Sequence, residues 1–77
     1  MPHVVVKMYA GKTEEQKQAL ALEIQKALMT AIGSTEKSIS VAIEDVDPAD
    51  WVEKVYQPEI AGKPDLIYKK PGYDPFA

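Results

Sequence analysis

The 77-residue chain reads as a small α/β fold, an α+β sandwich built on a single β-α-β unit with parallel strands. Three observations predict it. A β-branched run opens the chain over residues 3–9, a long helical period follows over residues 14–32, and a second alternating run covers residues 38–46. Strand, amphipathic helix and strand in this order pack through a right-handed crossover with the two strands parallel. A short second helix and a short C-terminal strand or hairpin complete one expected domain over residues 1–77.

In the first strand Val4, Val6 and Met8 share one face, while Val5, Lys7 and Tyr9 share the other. Gly11 serves the turn that follows, because it adopts a positive φ at little cost. Thr13 stands three residues before Gln16, the spacing of a capping box. The helix it opens carries Leu20, Ile24, Ala27, Leu28 and Ala31 at buried-face spacing, with Glu14, Lys17, Gln18, Gln25 and Lys26 outside. Gly33 is placed to end it in the left-handed conformation.

In the second strand Ile39, Val41 and Ile43 should face the helix, leaving Ser40, Ala42 and Glu44 on the far side, where a partner subunit or ligand would cover them. Asp47 as N-cap and Pro48 in first position predict a short helix bearing Trp51, Val52, Val55 and Tyr56, which Pro58 should interrupt. Beyond it, residues 66–69 read as a short strand, and Pro71-Gly72 as a turn returning residues 73–76 beside it.

Composition narrows the class of function. A formal charge of −3, a pI near 5.0 and the absence of arginine exclude a nucleic-acid partner, which clustered cations would recognise. With no cysteine and a single histidine the chain has neither a disulfide staple nor a zinc-ligand pattern. No basic leader and no apolar run of membrane-spanning length is present, so a cytoplasmic protein with no membrane partner is expected. A chain this short buries a modest share of its surface alone, and association into a homo-oligomer is the expected source of the rest.

Chemistry enters at Pro2. If Met1 is removed, the Pro2 nitrogen becomes a secondary amine held still by its ring and by the strand that follows. A free α-amino group titrates near ~7.7–8.0, and an apolar pocket or a nearby cation lowers that value. Such an amine is a general base when neutral and a general acid when protonated.

Met1-Pro2-His3, the helix opening Gly11-Lys12-Thr13-Glu14-Glu15-Gln16-Lys17 and the second strand Ser38-Ile39-Ser40-Val41-Ala42-Ile43 together resemble the tautomerase superfamily, in particular the 4-oxalocrotonate tautomerase family. The resemblance covers roughly the first sixty residues. The tail Tyr68-Lys69-Lys70-Pro71-Gly72-Tyr73 is similar to the small bacterial phenylenolpyruvate tautomerases. It implies a cofactor-independent isomerase that moves a proton between oxygen and carbon of a small enol acid, with Pro2 as acid and base.

The resemblance also implies site residues. Lys12 falls where the family often has a carboxylate-binding arginine; it keeps the charge but lacks the bidentate fork. Ser40 falls where a second arginine stands, and a hydroxyl cannot neutralise a second carboxylate. A monocarboxylate enol with an aromatic or apolar tail, such as phenylenolpyruvate, therefore fits better than a dicarboxylate.

Trp51 falls near an aromatic pocket wall of the family, Tyr9 could line the pocket, and Lys69 or Lys70 could replace the missing strand cation. His3 reads as structural or interfacial and Glu44 as solvated or interface-paired. A homodimer is expected, with a hexamer as the alternative. Hydration-dehalogenation or decarboxylation at the same proline, or non-catalytic binding of a small molecule on this scaffold, are the rival functions.

Overall fold

The computed structural model describes residues 1–77 and divides into two compact units, Met1–Val46 and Asp47–Ala77. In the first unit, strand β1 (His3–Tyr9), helix α1 (Glu14–Ile32) and strand β2 (Ser40–Val46) form the expected β-α-β. The two strands pair parallel in one register, from His3 opposite Ser40 to Tyr9 opposite Val46. Backbone bonds from Ser40 N–H to the Pro2 carbonyl (3.2 Å) and from Ala10 N–H to the Val46 carbonyl (3.0 Å) close the two ends of the ladder.

Helix α1 begins and ends where its caps dictate. Thr13 Oγ1 accepts from Gln16 N–H at 3.1 Å, and Gln16 Oε1 accepts from Thr13 N–H at 2.9 Å, completing the capping box. Gly33, at φ 70°, turns left-handed and donates to the Leu28 carbonyl. The stripe of the helix that is withdrawn from solvent runs through Lys17, Leu20, Ala21, Ile24, Gln25 and Leu28.

Ala27 and Ala31, expected on that stripe, are exposed, and Lys17 and Gln25, expected outside it, belong to it. Lys17 takes its place because its stem lies along the sheet while its ammonium meets Asp45 of β2 at 2.7 Å and Glu14 at 3.6 Å.

Residues 38 and 39 are not yet strand. Glu36–Ser38 make a 3₁₀ turn, with Ser38 Oγ donating to the Thr35 carbonyl at 2.8 Å, so β2 starts at Ser40. The sheet then has two faces: Asp45 meets Lys17 on the helix side, and His3, Ser40, Lys7 and Glu44 project from the other.

In the second unit the Asp47 carboxylate accepts from Ala49 N–H at 2.9 Å and opens a 3₁₀ turn over Pro48–Asp50. A wide π-type helix follows over Val52–Ala61. The helix passes through Pro58, where an interruption was expected, and stops only at Gly62. A Cβ on Gly62 would lie 2.7 Å from the Gln57 carbonyl oxygen and 2.9 Å from that of Pro58, a space that admits hydrogen alone.

The expected C-terminal strand and hairpin do not form. Pro64–Leu66 make one 3₁₀ turn, and no residue beyond joins the sheet, which has two strands. Pro71 and Pro75 lack the donors a ladder needs, and the aromatic side chains of this segment cluster instead: Tyr73 and Phe76 pack on Tyr56 at ring separations of 6.0 and 5.9 Å.

Candidate active site

Pro2 precedes the first rung of β1 and is half-buried, while Met1 before it is fully exposed. Parallel pairing sets Ser40 beside it, with the Ser40 N–H on the Pro2 carbonyl. Ser40 Oγ also lies 2.7 Å from His3 Nδ1, across the rung that pairs the two residues. The start of both strands thus gathers Pro2, His3 and Ser40. With Met1 attached the Pro2 nitrogen is a tertiary amide without useful basicity; cleavage of that bond creates the secondary amine.

Tyr9 and Lys12 do not join this group within one chain. Tyr9 is the last residue of β1, half-exposed, and Lys12 is exposed in the turn between β1 and the capping box, where Gly11 takes φ 126°. A strand advances about 3.3 Å per residue, so the far end of β1 lies roughly 23 Å from Pro2, more than a small acid spans. Lys12 can therefore serve Pro2 only from a second copy of the chain.

In the second unit Trp51 is half-buried and its indole Nε1–H donates to Tyr73 Oη at 2.9 Å. The C-terminal segment thereby fixes the indole plane. A cavity of about 240 Å³ opens among Ile60, Ala61, Pro64, Ile67, Lys70 and Pro71. Lys70, not Lys69, is the cation on it; Lys69 is exposed and outside the lining.

Two side-chain contacts, His3 with Ser40 and Tyr73 with Trp51, lie outside the sequence reading. His3 was legible in principle: aligning Val4 and Val6 with Val41 and Ile43 on the helix side puts His3 opposite Ser40. Tyr73 was not, because no periodicity links it to Trp51 across 22 residues.

The tautomerase enzyme family model matches residues 2–55, opening on Pro2. The chain belongs to the tautomerase family. It is 38% identical over its whole length to a probable tautomerase of Xylella fastidiosa, covering 94% of that protein. It is also 42% identical to tautomerase PptA of Klebsiella pneumoniae, with 95% of this chain and 97% of the relative aligned.

Among solved structures, YwhB, a homologue of 4-oxalocrotonate tautomerase, shares 39% identity at a TM-score of 0.58, over 60% of this chain and 75% of that one. A 4-oxalocrotonate tautomerase isozyme from Methylibium petroleiphilum shares 34% identity at a TM-score of 0.63, over 65% and 81%. As a member of this family the tautomerase is an isomerase. None of its helices is long and apolar enough to cross a membrane.

Proposed function

We infer that this tautomerase ketonises a small 2-hydroxy-alkenoate such as phenylenolpyruvate, with Pro2 as general acid and base once Met1 is removed. What supports the reading most is the family match opening on Pro2, at a strand start that Ser40 holds by its backbone. The neutral Pro2 nitrogen accepts the proton of the enol hydroxyl. The electrons of that O–H bond form the carbonyl, those of the carbon–carbon double bond take a proton from the Pro2 ammonium at the adjacent carbon, and the amine is regenerated.

Ser40 donates to the carbonyl oxygen as charge gathers there, the role of an oxyanion donor. Lys12 of a second copy holds the carboxylate, and Trp51 offers an apolar wall for an aromatic tail. A homodimer is the smallest assembly that supplies these parts: in a two-fold pair, each chain gives its Pro2 end to one site and its Lys12 end to the other.

The test follows ultraviolet loss of the phenylpyruvate enol, with protein shown by intact mass to lack Met1. Pro2→Ala should lower kcat by at least about 10²-fold, the usual range for loss of general acid-base catalysis. An equal rate in the variant would refute the proline mechanism.

A further inference from the structure

We propose that His3 is a positioning residue that fixes which way the Ser40 hydroxyl proton points. The two side chains are 2.7 Å apart, a full hydrogen bond, between register partners one rung from Pro2. A serine hydroxyl has one proton and two lone pairs. If it donates to Nδ1, only lone pairs face an incoming oxygen. If Nδ1 carries the hydrogen and donates to Oγ, the hydroxyl proton is released toward the ligand.

An enol acid that has given its hydroxyl proton to Pro2 presents an oxygen that only accepts. The productive arrangement therefore has Nδ1–H donating to Ser40 and Ser40 donating to that oxygen. The other charged groups on this sheet face are Lys7 and Glu44, which pair with each other at 3.7 Å. Val5 and Ala42 occupy the rung between the two pairs. The helix lies on the opposite side, where Lys17 engages Asp45, so no charge from it competes for His3.

This inference rests on the reading of Pro2 and Ser40 as parts of the site, and the test separates the two. In Met1-free protein, His3→Gln removes the donor at the Nδ1 position and Ser40→Ala removes its acceptor. Each should lower kcat for the phenylpyruvate enol about tenfold with little change in KM, and the double variant should lose about the same tenfold, because the two act as one unit.

His3→Asn, whose amide nitrogen can stand near Nδ1, should recover most of the rate, with thermal midpoints of all variants near that of the parent. Losses that multiply to about a hundredfold, or a His3→Gln variant with unchanged kcat, would overturn the role of His3 while Pro2 dependence stands. A parent rate indifferent to Pro2→Ala would instead refute the reading of the site, and this inference with it.

Discussion

Lys12 carries the carboxylate in this scheme as a point charge. A charge-assisted hydrogen bond contributes about 1.5–3 kcal/mol, so Lys12→Met should raise KM at least tenfold for phenylenolpyruvate and leave kcat little changed. Lys12→Arg should bind as well or better, since the guanidinium adds a second parallel bond. Steady-state kinetics on both variants check this, and a KM unmoved by Lys12→Met would remove Lys12 from the site. At this scale the sequence marked Pro2 through its own chemistry, and Lys12 and Ser40 through resemblance. The His3–Ser40 bond needed the strand register as well.

Elements with local punctuation were the most legible. Thr13, Gln16 and Gly33 bound α1 because capping is a matter of a few adjacent residues. Removing the left-handed glycine as Gly33→Ala should cost about 1 kcal/mol in urea unfolding. Gly62→Ala should cost more, about 1–3 kcal/mol, because its methyl would press on backbone carbonyls rather than on a side chain that can swing away. The missing C-terminal hairpin was illegible, since the segment packs instead through contacts distant in sequence, those of Tyr73 and Phe76 with Tyr56.

The tie between α1 and β2 also has a pH signature. Hydrogen bonding to Asp45, with the charges of Asp45 and Glu14 beside it, raises the Lys17 ammonium above its ordinary 10.5 against the opposing effect of desolvation. A raised value means that the contribution is fully present below the ordinary lysine range and is lost as pH climbs through the folded value. The stability gap between the parent and Lys17→Met should thus be constant near neutrality and narrow in alkali. Urea midpoints at both pH values measure it, and a gap that widened in alkali would contradict the assignment.

For the whole molecule, the shortage of interior is what the length of the chain predicted. Val46 and Val55 alone are buried, at 8% and 6% exposure, while Val5 is 50%, Leu66 67% and Tyr68 99% exposed. Association would cover such surface, and the proposed site calls for it, because the length of β1 separates Lys12 from Pro2 within one chain. Equal mixing and reassembly of Pro2→Ala with Lys12→Met chains should restore about a quarter of the parental kcat/KM, read at enol concentrations well below KM, where each variant alone is poorly active. Half the two-fold pairs are then mixed, and one of the two sites in each mixed pair is intact. Activity no higher than that of the separate variants would mean that Pro2 and Lys12 do not serve one site from two chains.

The most direct measurement is a titration of the Pro2 ¹⁵N resonance in Met1-free protein, set beside the pH profile of kcat/KM for the phenylpyruvate enol. The nitrogen should titrate as one secondary amine. The acid limb of kcat/KM should share the midpoint of that titration. A resonance that does not titrate, or a rate profile whose acid limb lies elsewhere, would contradict catalysis by Pro2.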